Sequence, residues 1–207
     1  MRLIGMLDSP YVRRVAISLR LMDLAFDHEP VSVFRAYDAF AAINPVVKAP
    51  TLVTDAGVVL MDSSLILEHL ERLVPLDRGL NPVDIGDHVR AQRIIGLALA
   101  ACEKTVQLVY EFNLRPEERR HQPWVERVRE QLGEAYRLLE LEAAGGPLRL
   151  PDGRASQAGV TAAVAWSFTD FALPKAIEAI EAHEHPALAD WARQAEGSPD
   201  FQATPIG

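Results

Sequence analysis

The chain has 207 residues, 49% of them hydrophobic, so it can bury a substantial core in one large domain or two small ones. Its formal net charge of −8 argues against general affinity for nucleic acid or anionic lipid, because both require clustered positive charge. The single cysteine excludes an intrachain disulfide, and we expect a cytoplasmic protein, because neither a signal peptide nor a membrane-spanning run is evident.

The N-terminal third of the chain alternates between strand-like and helical patterns. Arg2–Leu7 predicts a short buried strand, and the apolar residues that follow it recur at helical spacing. Phe26–Val33 predicts a second strand, at a sheet edge because Pro30 cannot donate a hydrogen bond to a neighbouring strand. The turn sequence at 55–57 lies between two apolar runs and predicts a β-hairpin, and Ser63–Val74 predicts the helix that follows.

The rest of the chain predicts helices only. Apolar residues keep the i, i+3/i+4 spacing over Ile94–Phe112, over Trp124–Leu139 and again over Val160–Phe171, and a shorter helix is predicted at Pro186–Ala195. We therefore expect an α/β domain followed by an all-α domain. The expected boundaries are 1–76 for the α/β domain, 77–84 for a linker and 85–207 for the helical domain.

Ser9 and Pro10 stand where the first strand ends and the first helix begins. A serine before a proline is an ordinary helix N-cap, and proline suits the first helical position. The same place favours an anion, because free N–H groups and the positive end of the helix dipole lie there. A thiol would ionise more readily at this point, and the Ser9 hydroxyl could donate a hydrogen bond to the thiolate.

Arg13 and Arg14 follow in the first turn of the same predicted helix, where positive charge opposes the helix dipole. They could serve a ligand, an interface or an acidic partner. They could equally be solvated arginines whose aliphatic stems are buried. The sequence leaves these alternatives open.

Two further motifs precede a strand and a helix. Lys48-Ala49-Pro50 is either a trans strand start or a cis turn that directs the backbone of Ala49 outward. In Asp62-Ser63-Ser64, either Asp62 or Ser63 caps the next helix and Ser64 is free. The functional alternative is a helix N-terminus that binds a carboxylate while Asp62 pairs with an ammonium group, which together would recognise an α-amino acid.

The order and spacing of these motifs resemble the glutathione S-transferase superfamily. The segments "SPYVRR", "NPVVKAPTLV" and "DSSLILEHLE" are similar to those of bacterial members that use a serine. The resemblance extends to "SQAGVTAAVAW" and "HPALADWARQAEGSPDF", so it covers nearly the whole chain. It implies a thioredoxin-like N-terminal domain followed by a C-terminal all-helical domain.

The resemblance also implies roles for individual residues. Ser9 would stabilise the thiolate of glutathione, the co-substrate, and Ala49 before the cis proline Pro50 would pair with its cysteinyl segment. Asp62 and Ser63 would hold the γ-glutamyl group. The glycyl carboxylate would fall to Lys48, with Arg35 as second choice. The walls of an electrophile pocket between the domains would include Leu7, Tyr11, Tyr110 and Phe112.

The function so implied is a glutathione transferase acting on a small hydrophobic electrophile, with a role in detoxification, no metal and a homodimeric state. One alternative is a glutathione-fold binding or regulatory protein with little turnover. Another is a glutathione-dependent peroxidase or reductase. A dithiol oxidoreductase is disfavoured, because Ser9 and Val12 stand where two cysteines would be needed.

The chain departs from the family pattern in two segments. Val47-Lys48-Ala49-Pro50 stands in place of the family's Gly-Lys-Val-Pro; Ala49 still offers its backbone, but loss of the glycine could shift the turn and Lys48 with it. Gly159 stands where Ser156 should find the acidic partner of a capping box, so we expect a weakened helix start, with Thr161 capping instead and Gly159→Asp stabilising.

Three other residues are expected to carry no chemistry. The spacing of His183 and His185 does not suit a metal site, and we expect both to be solvated. Cys102 is expected to be a buried small apolar residue.

Overall fold

The computed structural model describes residues 1–173 and 183–207. The chain divides into two compact units, one formed by Met1–Leu80 with Gly197–Gly207 and the other by Asn81–Glu196. Numbered along the chain, the elements are β1 (Arg2–Ile4), α1 (Pro10–Leu21), β2 (Asp27–Glu29), α2 (Tyr37–Ile43), β3 (Thr51–Val53), β4 (Val59–Met61), α3 (Ser63–Glu71), α4 (Ile85–Asn113), a 3₁₀ turn (Glu117–Arg119), α5 (Gln122–Gly145), α6 (Gln157–Ala172), α7 (Pro186–Glu196) and α8 (Pro199–Gln202).

The first unit is built on a mixed sheet with the strand order β2-β1-β3-β4. β1 is parallel to β2 and antiparallel to β3, and β3 and β4 form the predicted hairpin. β2 lies at the edge of the sheet, as the proline after it predicted. The strands β1 and β2 are shorter than expected. β1 ends before Gly5, where φ is 136°, and β2 ends before Pro30.

The helix α1 contributes much of the core of the first unit. Its apolar face is fully buried and packs against α3 and β1. The short helix α8 also packs against α1, with Phe201 buried, so residues 197–207 cluster with the first unit. The sequence pattern places these residues in the helical domain instead, because a four-residue helix has no periodicity that shows which unit it packs against.

The regular elements that the structure describes in the second unit are all helices, with α4 packed on α5 and α6, and α7 packed on α5 and α6, and one isolated bridge joins Arg149 and Ala155 in the loop before α6. Side chains of one helix form hydrogen bonds with the terminal backbone groups of another. Arg90 of α4 donates to the C=O groups of Glu142 and Gly146 at the end of α5, at 2.5 and 3.2 Å. Glu140 of α5 accepts from the first N–H groups of α7. The α/β plus all-α fold class is confirmed.

The start of α6 differs from the expectation. Ser156 is the N-cap and its Oγ accepts from the N–H of Gly159 at 3.0 Å, so half of a capping box forms. The Oγ1 of Thr161 donates to a carbonyl inside the helix and does not cap it. A Cβ atom at Gly159 would lie 2.2 Å from the Leu148 carbonyl oxygen. The predicted stabilisation by Gly159→Asp is therefore wrong, because no side chain fits there.

One of the two histidines was also predicted wrongly. His183 is exposed, but only 6% of His185 is exposed, and its ring lies 5.9 Å from Trp166 and 6.1 Å from Tyr136 between centroids. Cys102 is buried in α4, as expected. Over the described part of the chain, no cluster of three or more candidate metal ligands occurs, and none of the helices is both long and apolar enough to span a membrane.

Candidate functional site

Ser9 occupies the N-cap position of α1, but its hydroxyl does not cap the helix. The Ser9 backbone is extended, and its C=O accepts the first helical hydrogen bond from the N–H of Arg13 at 2.9 Å. The hydroxyl itself has no hydrogen-bond partner among residues 1–173 and 183–207. A free hydroxyl therefore stands beside the positive end of the α1 dipole, which is the arrangement that a thiolate site requires.

The Ala49–Pro50 peptide bond is cis, as the resemblance implied. Pro50 is buried and Ala49 is partly exposed. Within the described residues, neither the N–H nor the C=O of Ala49 bonds to another group. This leaves one backbone donor and one backbone acceptor available to an extended ligand.

Gly5, which the sequence analysis passed over, brings the loop before Ser9 close to Ala49. Its φ of 136° lies in the region that glycine favours. A Cβ atom at Gly5 would lie 2.6 Å from Val12 Cγ2 and 3.2 Å from Ala49 Cβ. Only glycine allows so close an approach, and its position directly after β1 was the signal that could have revealed it.

Asp62, not Ser63, is the N-cap of α3. Its Oδ1 accepts from the N–H of Ser64 at 2.8 Å, and its φ is 61°. The Asp62 carboxylate is exposed, and its second oxygen has no partner in the described structure. Ser63 is buried, with 2% exposure. A carboxylate that opens to solvent thus stands beside the first N–H groups of a nine-residue helix.

Arg13 and Arg14 are both buried, with 1% and 2% exposure, so the interpretation as solvated arginines is wrong. The Nε of Arg13 donates to the C=O of Thr204 at 2.8 Å, and its guanidinium lies over the Phe201 ring. The Nη1 of Arg14 donates to Ser63 Oγ at 3.1 Å and to Ser64 Oγ at 3.2 Å. Ser64 is therefore not free, and these hydrogen bonds connect α1 to the N-terminus of α3.

A buried polar chain supports the loop that carries Lys48 and Ala49. The Nδ2 of Asn44 donates to Thr51 Oγ1, and Thr51 Oγ1 donates to the C=O of Lys48, both at 2.8 Å. The Asn44 Oδ1 accepts from the N–H of Val46 at 3.1 Å. The loop keeps its turn without the family's glycine, because Val47 itself adopts a left-handed conformation with φ 52°.

The remaining candidates are distributed over both units. Lys48 and Arg35 are exposed side chains of the first unit, which also holds Leu7 and Tyr11, both partly buried. Tyr110 and Phe112 belong to α4 in the second unit, where Tyr110 is exposed. The Phe112 ring already contacts two guanidinium groups, those of Arg120 at 5.0 Å and Arg129 at 5.6 Å from its centroid. Phe112 is therefore less available as an apolar wall than we expected.

Comparison with known proteins identifies the family. The glutathione S-transferase N-terminal domain family matches residues 3–78. A glutathione S-transferase from Methylobacterium radiotolerans, solved with glutathione sulfonate, is 27% identical, with a TM-score of 0.86 over 98% of this chain and 93% of that one. Residues 3–78 thus belong to the glutathione S-transferase N-terminal domain family, and the whole chain is similar in fold to glutathione S-transferases.

Two further relatives of this kind are similar to the chain. A glutathione transferase family member from Pseudomonas fluorescens Pf-5, solved with bound glutathione, is 26% identical, with a TM-score of 0.81 over 100% of this chain and 98% of that one. The GST-like protein YibF of Escherichia coli K12 is 29% identical over 149 residues, which are 72% of this chain and 73% of YibF. The superfamily therefore accounts for both the thioredoxin-like sheet and the helical part.

Proposed function

We propose that the protein is a glutathione transferase, in which Ser9 and the N-terminus of α1 favour the glutathione thiolate for attack on a small hydrophobic electrophile. The observation that carries the proposal is the free hydroxyl of Ser9 at the end of a twelve-residue helix. That hydroxyl can donate to sulfur, and the helix dipole favours the anion. The two solved relatives described above, which hold glutathione or its sulfonate, support this ligand.

We propose partners in the first unit for the other groups of glutathione. The free N–H and C=O of Ala49 suit the backbone of the cysteinyl residue. Asp62 suits the γ-glutamyl ammonium, and Ser63 with the N-terminus of α3 suits its carboxylate. Lys48 is proposed for the glycyl carboxylate, and the exposed Arg35 is the second choice.

The chemistry that these residues supply is limited to the sulfur nucleophile. Glutathione loses its thiol proton to solvent, and its thiolate forms a carbon–sulfur bond to the electrophile without a covalent enzyme intermediate. In a substitution the leaving group departs with the electron pair of the broken bond, and in an addition the π bond of the electrophile breaks and its electron pair takes up a proton from solvent. The protein contributes a lowered thiol pKa and the proximity of the two reactants. Leu7 and Tyr11 are proposed as apolar contacts of the electrophile in the first unit, with Tyr110 and Phe112 as the candidates of the second.

Calorimetric titration with glutathione, beside a conjugation assay with a general aromatic electrophile, tests this function. We expect the wild-type protein to bind glutathione and to catalyse conjugation. Ser9→Ala should lower turnover by roughly 10²-fold while glutathione affinity stays within about twofold, because the hydroxyl acts mainly on the thiolate. Binding without turnover would favour a regulatory protein, and absence of binding would contradict the proposal.

We also propose that the protein forms a homodimer, with the α/β domain of one chain against the helical domain of the other. The first unit exposes a group of apolar side chains directly before β4, on β4 and at the start of α3, namely Val58, Val59, Met61 and Leu65. Exposed apolar groups of this kind mark interaction surfaces. The second unit exposes Val83, Ile85 and Val89 around the start of α4, which suit the opposite side.

A further inference from the structure

We propose that Arg14 is a positioning residue that prepares Ser63 to bind the γ-glutamyl carboxylate of glutathione. This inference rests on the proposed function. It concerns a buried guanidinium that the family motifs used above did not assign to the site.

The geometry links the two helix N-termini that the ligand would contact. Arg14 lies in the first turns of α1, and its side chain, 2% exposed, reaches the N-terminus of α3. Its Nη1 donates to Ser63 Oγ at 3.1 Å and to Ser64 Oγ at 3.2 Å. One nitrogen atom thus fixes two consecutive hydroxyls directly after the Asp62 cap.

The direction of these hydrogen bonds determines what Ser63 can offer a ligand. A guanidinium has donors only, so the Ser63 oxygen must act as acceptor toward Arg14. The Ser63 hydroxyl proton then points away from Arg14 and is available to an acceptor such as a carboxylate. A serine that faced a backbone carbonyl would instead donate this hydrogen bond to the protein itself.

The positive charge of Arg14 favours a bound anion in the same way as the N-terminus of α3 does. The guanidinium keeps its proton at all physiological pH values, so it brings fixed positive charge to the N-terminus of α3. The α3 dipole is positive at the same end. An anionic group bound by Ser63 would be favoured by both, and the favourable interaction is strongest where water is excluded, as around the buried Ser63.

Arg13 provides a matched comparison within the same helix. It is equally buried, but its Nε donates to the Thr204 carbonyl and its guanidinium lies over the Phe201 ring, both in the segment 197–207. Replacing Arg13 should therefore cost stability without changing recognition of the γ-glutamyl group. Replacing Arg14 should change both.

The test compares two thiols by titration: glutathione, and cysteinylglycine, which lacks the γ-glutamyl group. The quantity measured is the ratio of their dissociation constants, and thermal unfolding is followed in parallel. In Arg14→Met the preference for glutathione should fall by about tenfold, the effect of losing one charge-assisted contact. In Arg13→Met the preference should stay within about twofold of wild type, although the protein melts earlier.

The outcomes separate this inference from the proposed function. If wild-type protein does not bind glutathione, the proposed function fails. If the wild type binds and prefers glutathione but Arg14→Met keeps the full preference, the positioning role is wrong. Should Arg14→Met not fold, the same ratio is measured in Arg14→Lys, whose single ammonium cannot reproduce the guanidinium geometry. A preference for glutathione that is about threefold lower in Arg14→Lys than in Arg13→Lys supports the inference, and equal preferences in the two variants overturn it.

Discussion

At the scale of single residues, Val47 is the clearest case of a side chain that does not suit its backbone conformation. Its φ of 52° places a β-branched side chain in the left-handed region, where an L-residue loses about 1–2 kcal/mol because of its Cβ atom. The turn is nevertheless kept, with the Val47 N–H donating to the Asn44 C=O at 2.9 Å. The surrounding hydrogen bonds of Asn44 and Thr51 hold the loop in this conformation.

Val47→Gly should therefore stabilise the protein by about 0.5–1 kcal/mol, the relief of strain less the larger entropy of glycine in the unfolded chain. Urea unfolding measures the change. The neighbouring Val46→Gly is the control, because Val46 is not among the residues with positive φ and its replacement should destabilise by a similar amount. Equal destabilisation by both changes would show that Val47 is not strained.

His185 makes the stability of the second unit depend on pH. Burial lowers the pKa of His185, while the nearby carboxylates of Glu140 and Glu184 act in the opposite direction. A folded-state pKa below the unfolded value means that protonation favours unfolding. The stability from neutral His185 is complete above about pH 6.5, the unfolded value, and is lost as the pH falls through the lower folded pKa.

His185→Phe should flatten this dependence, because an apolar ring in the same position has no proton to take up. We expect the melting temperature of the variant to fall less than that of wild type between about pH 7.5 and about pH 5. The exposed His121 supplies the control, and His121→Gln should leave the wild-type slope unchanged. If the melting temperature changed with pH equally in His185→Phe and wild type, His185 would not be the cause of the pH dependence.

At the scale of elements, the start of α6 shows why a helix signal can be misjudged from sequence. Helix propensity alone counts Gly159 as a weakness. In the fold, this glycine lets the carbonyl of Leu148 and the ring of Trp191 approach the helix, and Trp191 Nε1 donates to the Gly159 C=O at 2.9 Å. The requirement is tertiary, so local patterns cannot reveal it.

Gly159→Ala should accordingly destabilise the protein by about 2 kcal/mol or more, the cost of forcing a Cβ into a filled space. Gly133→Ala in α5 is the matched control, because nothing lies within 4 Å of a Cβ built there. That change should stabilise by up to about 1 kcal/mol through helix propensity alone. Chemical unfolding of both variants decides the point, and similar effects would exclude the close packing at Gly159.

Elements and motifs were predictable to different degrees. The hairpin, the edge strand before Pro30 and the long helices followed from local patterns, because periodicity and turn residues determine them. The cis bond before Pro50 came from the resemblance. The hydrogen bonds of Arg14 to Ser63 and Ser64 were not predictable, because these acceptors lie 49 and 50 residues away and only the fold brings them together.

At the scale of the whole molecule, the prediction concerns assembly. Leu65 is 63% exposed at the start of α3, beside the exposed Val59 and Met61 of β4. A charge in such an apolar interface would be costly to bury, so Leu65→Glu should raise the dimer dissociation constant by at least about 100-fold. Sedimentation at several concentrations measures it, with Leu114→Glu at the end of α4 as a control that should remain dimeric. A wild-type protein that is monomeric throughout would refute the dimer.

The most direct test of the proposed function is the thiol pKa of bound glutathione, followed by the ultraviolet absorbance of the thiolate as the pH is raised. We expect a pKa at least about one unit below the free-thiol value of about 8.5 in the wild type, and a value close to that of the free thiol in Ser9→Ala. A bound thiol that ionises at the free-thiol pKa in the wild type, or at one common lowered pKa in both proteins, would contradict the role of Ser9.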